Sequence, residues 1–442
     1  MLYQNRLLKT MSDFVKFDLD ESRFLTLLGK LIGEAKHLQN APAQGFHPEE
    51  NRASDHILEV LKPYTVENGG VLKVQRIEFV EKRGNVIIEY PGTEPNEILS
   101  FVGSHLDVVT ADPNTWDRDP FSLSIDGDNL YGRGTTDCLG HVALLTDLMV
   151  NLAIQKPKLK HSIVVIFIAN EENSTFVGVG IDQLAKEGYM DHLKNGPLFW
   201  VDAADCQPCI GTAGSVQWQI KVKGKPFHSG LPHKGINAIE FGMDAINFIQ
   251  KKFYTEFPQD PREVDYNFVT QSTFKPTQIS CIPGSLNQLP GGVMVEGDIR
   301  SSPFYDIKNL MTAIERYVAE INENPSMVEN PEVRGPHSKY NLPEESRPGK
   351  LTLKWLTHAD NGVACRLDSK GFKALVAATN DVLGFAKPYS IGGSLPLIRE
   401  LQDQGFDVQI SGYGISARYH ADNECASLSS FKNATKILSK VS

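Results

Sequence analysis

The sequence predicts an α/β fold, a mostly parallel central sheet with helices, interrupted by an inserted ferredoxin-like α+β segment. Three observations carry this. The apolar runs 163–169 (IVVIFIA) and 198–201 (LFWV) are continuous, as in strands buried on both faces, and acidic residues follow each closely. From near Gly214 apolar and polar residues alternate, and the element order becomes β-α-β-β-α-β. Near 361 the strand-and-helix rhythm returns. A length of 442 residues exceeds what one core usually serves. The expected division is therefore 1–213 with 361–442 around an inserted 214–360.

Element by element, 86–90 (VIIEY) and 98–104 (ILSFVGS) are expected strands, the second running into His105. Apolar residues at 144, 145, 148, 149 and 152 mark one face of a helix over 141–153. In the inserted segment, Val216, Trp218, Ile220 and Val222 alternate as in a half-exposed strand. Ile236 to Phe253 follow helical spacing, strands come around 277–282 and 293–299, Ile307 to Ile321 form a helix, and 351–355 closes the unit. The Pro-rich, polar stretch 322–349 reads as an unusually long surface loop, long enough to conceal an element. Helices at 370–383 and near 395–404, a strand at 407–410 and a terminal helix through Phe431 and Leu438 complete the chain.

Composition excludes several classes. The net charge of -10 and pI near 5.7 argue against a nucleic-acid partner. No apolar run approaches the roughly 18 to 20 residues of a membrane span, so no membrane partner is expected. Six cysteines in so long a chain make no disulfide framework, which points to a reducing cytoplasm. The N-terminal MLYQNRLLKTMSDF, with no acid before Asp13 and no apolar signal region, leaves a short mitochondrial presequence as the alternative. Cys206 and Cys209 form a single CxxC and read as small apolar residues on a turn.

Five potential metal ligands are spread along the chain, several of them closing apolar runs: His105, Asp137, Glu172, Asp202 and His420. Imidazole and carboxylate suit zinc and similar divalent ions. His105 and Asp107, at i and i+2, point the same way on a strand end, so the Asp107 carboxylate can take the far ring N–H; the rival reading is a hydrogen-bonded strand edge. Asp137 follows Gly132 and Gly134 and precedes a helix, so it is either a helix cap or a carboxylate bridging two cations. Glu171 and Glu172 are adjacent carboxylates after an apolar run, costly to bury unless neutralised. Glu172 is expected to bind metal, and Glu171 to carry a proton. Asp202 and Asp205 compete for one ligand position. Glu424, close to His420, is a candidate for recognising a substrate ammonium. The histidines other than 105, 228 and 420 lack a comparable setting.

These motifs, in this order, resemble the co-catalytic zinc aminoacylase, deacylase and carboxypeptidase family, and within it a plant-type deacetylase group. The likeness runs through FVGSHLDVVTA, GRGTTDCLGHVAL, IANEENS, QPCIGTAG, FHSGLPHKGINAIE, GVACRLDS and KPYSIGGSLPLIRELQDQGFDVQISGYG. It implies a zinc-exopeptidase-like catalytic domain with an inserted lid and dimerisation domain, a homodimer, and two zinc ions with cobalt as an alternative. It further implies that His105 and Asp202 hold one ion, Glu172 and His420 the other, and that Asp137 bridges. Glu171 falls on the general base and Asp107 on the carboxylate supporting His105. The family often has Glu where this chain has Asp202, and spacing to the following QP and Gly214 selects Asp202 over Asp205. His228 matches a residue reaching a partner's scissile carbonyl, Asn287 and Arg300 match groups holding substrate carbonyl and carboxylate, and Gly392, Gly393 and Ser394 match a loop beside the substrate. The implied reaction removes the N2-acetyl group from the small molecule N-acetylornithine, in ornithine and arginine biosynthesis. The alternatives are hydrolysis of another N-acyl amino acid or a dipeptide, and a catalytically silent binding protein.

Overall fold

The computed structural model describes residues 17–173, 176–395 and 397–442. The N-terminal stretch read for a presequence lies outside the described residues. Two compact units form. One comprises the described residues up to Ile210, Cys365–Tyr389 and 397–442; the other comprises Gly211–Ala364 and Ser390–Leu395. The expected insert was 214–360, so the observed unit is slightly longer at both ends and also takes in the 390–395 segment.

The first unit is built on a sheet ordered Lys73–Glu78, Gly84–Tyr90, Ser162–Phe167, Ile98–Val102, Pro197–Ala204, Asp407–Gly414. The last four run parallel, and the first two are antiparallel additions at one edge. Ser162–Phe167 and Ile98–Val102 are buried at every position, as their unbroken apolar runs require. The expected strand 98–104 stops at Val102 because Gly103 adopts φ +94° and turns the chain.

The helix Leu139–Gln155 departs from expectation. One apolar face was read, yet every residue from Leu139 to Ala153 is buried. The polar positions on its other side are satisfied internally: Arg23 binds Asp147 Oδ1 through Nε at 2.6 Å and Asn151 Oδ1 through Nη2 at 2.8 Å. Arg23 belongs to the helix Glu21–Glu34, which Asp20 caps by accepting the Arg23 amide. That helix and Asn51–Leu61 cover this layer of the core and were not anticipated from the sequence.

The second unit has a four-stranded antiparallel sheet in the order Thr273–Cys281, Gly292–Ser301, Gly214–Lys223, Lys350–Trp355. With the helices Ala238–Glu256 and Ile307–Glu323 it forms the β-α-β-β-α-β unit, its core centred on Trp218 stacked against Phe274 at 4.3 Å. The stretch 322–349 is not featureless: it holds turns at Pro325–Val328 and Pro331–Arg334 and a small hairpin, Asn341–Leu342 with Arg347–Pro348. Tyr340 pins it, packing on Phe241 at 4.9 Å and donating its hydroxyl to Asp244. Among the described residues no helix is long and apolar enough to cross a membrane.

Gly103 makes a sharp test of the strand end that leads to His105. A methyl group there would lie 2.5 Å from the Trp200 ring, at a φ that side chains rarely adopt. Gly103→Ala should destabilise the protein by about 1–3 kcal/mol, read as a lower midpoint in denaturant unfolding.

Candidate metal centre

Six of the residues singled out from sequence converge at the ends of parallel strands, where open α/β sheets place their sites. His105 follows Ile98–Val102 and bridges to Ile168 beyond Ser162–Phe167. Glu171 and Glu172 come next on that chain, Asp202 lies near the end of Pro197–Ala204, and Asp137 precedes the buried helix. His420 is supplied after Asp407–Gly414 in a left-handed conformation, φ 55°.

Asp137 stands in the middle. Its Oδ1 is 2.9 Å from His105 Nε2 and its Oδ2 is 3.1 Å from His420 Nε2. Beside His105 lie Asp202 Oδ1 at 3.6 Å and Glu171 Oε2 at 4.0 Å; beside His420 lies Glu172 Oε2 at 3.3 Å. Donor atoms of His105, Asp137 and Glu172 fall within 4.8 Å of one another, as do those of His105, Cys138 and Asp202. The centre is buried except for His420, whose side chain is 56% exposed and opens it to solvent. Asp205, the rival to Asp202, turns elsewhere and accepts the Ser416 amide at 3.1 Å. The helix-cap reading of Asp137 is not seen: the cap position is Cys138, with no side-chain cap bond.

The charges are mutually adjusted. Burial pushes the Glu171 carboxyl well above its usual range, with Asp202, Glu172 and Asp137 adding repulsion. Burial and Asp137 bring Glu172 to about 7. Hydrogen bonds that its ring donates to the Asp137 and Glu172 carboxylates raise His420 to about 11. Burial opposes a charged His105, but Cys138, Asp202, Asp107 and Asp137 outweigh it and hold its pKa well above normal. Asp137 itself is driven low: burial acts upward, and the two imidazoles overcome it.

A cation fits this donor set. Glu172 Oε1 and Asp202 Oδ1 are buried without a hydrogen-bond partner, which is costly for carboxylate oxygens unless positive charge meets them. Two imidazoles and three carboxylates are the hard-to-borderline donors that suit zinc-like ions.

The support beneath the centre corrects two expectations. The far ring nitrogen of His105, Nδ1, meets the main-chain carbonyl of Asp107 at 2.9 Å, while the Asp107 carboxylate is 3.5 Å away. That carboxylate instead accepts the amides of Glu171 and Glu172, both at 3.1 Å, and Asn40 Nδ2 at 2.8 Å. Glu424 is not available to a substrate ammonium. It is fully buried, and it accepts the amides of Gly134, Thr136 and Asp137 and Arg133 Nη1 at 2.8–3.0 Å. Those bonds hold the loop that presents Asp137. Gly134, at φ +98°, sits in this loop, where a Cβ would meet Leu139 at 2.7 Å. His141, read as an ordinary histidine, is a satisfied core residue accepting the Tyr413 amide at 2.8 Å.

Asn40, Asn170, Arg133 and Tyr419 escaped the sequence reading. Arg133, inside the Gly-rich GRG, and Glu424, four residues beyond His420, carried a usable signal; Asn40 did not. Tyr419 donates to the Asp202 carbonyl at 3.5 Å.

The remaining candidates belong to the second unit. His228 is exposed, its Nδ1 accepting the Gly230 amide at 3.0 Å, and the neighbouring Ser229 amide bonds to the Asn287 carbonyl at 2.9 Å. Arg300 is held by Asp298 at 2.8 Å. Ser394 Oγ lies 3.3 Å from Ser215 Oγ, and the Gly393 carbonyl accepts the Ala213 amide at 2.9 Å.

Removing the Glu424 carboxylate leaves four buried donors unmet around Asp137. Glu424→Ala should weaken metal affinity by about 10–100-fold, measured by competition with a chromophoric chelator.

The chain is similar to known proteins over most of its length. The chain is 54% identical over 407 residues to the acetylornithine deacetylase of Arabidopsis thaliana, covering 92% of this chain and 91% of that protein. It is 51% identical over 436 residues to the acetylornithine deacetylase of Dictyostelium discoideum, covering 96% and 97%. The crystal structure of human carnosine dipeptidase 1 shares the fold, with a TM-score of 0.67 over 95% of each chain at 17% identity. The model of peptidase family M20/M25/M40 matches residues 101–442. The chain belongs to that family.

Proposed function

We propose that this protein hydrolyses the N2-acetyl amide of N-acetylornithine, releasing ornithine and acetate, with two divalent cations held at the Asp137 centre. The observation that carries the chemistry is Asp137, whose two oxygens face two imidazoles while a separate carboxylate, Glu171, stands 4.0 Å from the nearer one. The substrate follows from the two relatives that share half their residues with this chain and carry that name.

In this reading His105 and Asp202 would hold one cation, Glu172 and His420 would hold the other, and Asp137 would serve both. Such cations, zinc or cobalt, polarise a carbonyl and lower the pKa of water to roughly 7. Glu171 takes the proton of the attacking water as the new C–O bond forms, then hands it to the nitrogen as the C–N bond breaks. Asp107 keeps the Glu171 and Glu172 main chain in place. Arg300 matches a fork for the substrate carboxylate, and Asn287 a donor to its carbonyl. The Gly393 and Ser394 backbone borders the substrate. His228 donates to the oxyanion from a partner subunit.

A homodimer is supported by the edge strand Thr273–Cys281. It is paired on one side only, and its residues from Lys275 onward are exposed.

Glu171→Gln should abolish turnover while the protein keeps its metal, shown by metal analysis beside an ornithine-release assay; undiminished turnover would refute the base assignment. Chelation should remove activity and added zinc restore it. In a rate panel of N-acetylornithine, N-acetylmethionine and a dipeptide, N-acetylornithine should give the highest kcat/KM. A preference for either of the others would redirect the substrate assignment within the family.

A further inference from the structure

Adjacent side chains on an extended chain face opposite ways, yet Glu171 approaches His105 and Glu172 approaches His420. The turn that allows this is made by Asn170, which sits at φ +64°, a left-handed conformation that Asn tolerates better than most residues. Its amide is engaged on both sides. Oδ1 accepts Asn40 Nδ2 at 3.0 Å and Arg83 Nη2 at 3.1 Å. Nδ2 donates to the carbonyls of Asn173 at 3.2 Å and Phe176 at 2.5 Å.

Each partner is itself held. Arg83 is forked onto Glu50, Nε to Oε2 at 2.9 Å and Nη2 to Oε1 at 2.5 Å, with Glu50 wholly buried and Arg83 nearly so. Asn40 shares its Nδ2 between Asn170 and Asp107 Oδ2, and Asp107 in turn accepts the amides of Glu171 and Glu172. A continuous buried path of polar contacts therefore runs from Glu50 through Arg83, Asn170 and Asn40 to the main chain of both acids. An ion pair buried this deeply costs desolvation, and replacing it with apolar groups is often neutral or stabilising. Orientation of a proton carrier is a role that an apolar substitute would not fill.

We propose that Asn170, with Asn40, Arg83 and Glu50, is a positioning network that sets the direction of the Glu171 carboxylate. It rests on the reading of Glu171 as base and Glu172 as ligand. The network bears more on turnover than on metal retention. Glu172 is one of several groups around its ion, whereas Glu171 acts alone and loses efficiency with any misdirection.

The test compares Asn170→Gly, Asn170→Ala, Arg83→Met and the double variant Asn170→Gly/Arg83→Met, in the full chain. Readouts are kcat and KM for N-acetylornithine, bound metal per chain, and thermal midpoint. Gly permits the left-handed backbone without supplying the amide, so it separates backbone shape from side-chain clamping. Asn170→Gly should lose about 10–100-fold in kcat, with KM and metal content near wild type. The double variant should be little worse than the poorer single, as for members of one network. If Arg83→Met does not fold, Asn40→Ala takes its place in the cycle. Arg52→Gln, which removes an exposed ion pair with Glu49, is the neutral control.

Wild-type kcat in Asn170→Gly would overturn the proposal. So would a loss fully accounted for by missing metal or unfolded protein, or losses that multiply in the double variant. A wild-type enzyme that binds metal yet does not deacetylate would instead overturn the functional reading, so the two failures are distinct.

Discussion

One buried carboxylate organises this molecule. Asp137 lies between the imidazoles of His105 and His420, one oxygen to each, with three further carboxylates close by. Gathering that many acids at a largely buried site is unfavourable unless cations neutralise them. Much of the surrounding structure serves to hold these groups where such neutralisation is possible. Glu424 spends its carboxylate on the loop before Asp137, Asp107 spends its own on the two amides after Asn170, and Ser104 ties the His105 turn to the Val201 carbonyl at 2.8 Å.

The architecture explains how residues so far apart in sequence meet. Parallel strands all point one way, so the ends of Ile98–Val102, Ser162–Phe167, Pro197–Ala204 and Asp407–Gly414 arrive at a common edge. Each brings a proposed ligand near its end: Asp202 lies within the last residues of its strand, and His105, Glu172 and His420 follow theirs. Left-handed residues follow three of these strands: Gly103, Asn170 and His420. The inserted unit is built by different rules, an antiparallel sheet with one face covered by two helices, and it carries His228, Asn287 and Arg300.

Three ion pairs with buried carboxylates lie within the first unit. Arg23 with Asp147, Arg83 with Glu50, and Arg133 with Glu424 are all buried or nearly buried pairs, each hydrogen-bonded to further groups. Such pairs contribute little net stability, since desolvation offsets attraction. Glu424 bonds the backbone amides that lead to Asp137, and Arg83 bonds the Asn170 side chain, which assigns both pairs to geometry rather than to folding energy.

The sequence alone carried the two-unit organisation and the five candidate ligands, because apolar periodicity and the placement of acids after buried strands are local properties of the chain. The choice of Asp202 over Asp205 came from the family resemblance, through spacing to the following QP and Gly214. Tertiary structure decided what no local pattern encodes: that Nδ1 of His105 bonds a main-chain carbonyl, that Glu424 faces a loop instead of a substrate, and that Asn40 and Asn170 brace the two acids. It also decided that the helix Leu139–Gln155 is buried all round, because Arg23, from a helix more than a hundred residues earlier, neutralises its polar side. The physical reason is common to these cases. A hydrogen bond between residues distant in the chain depends on where folding brings them, and polar side chains have many partners that satisfy them equally well.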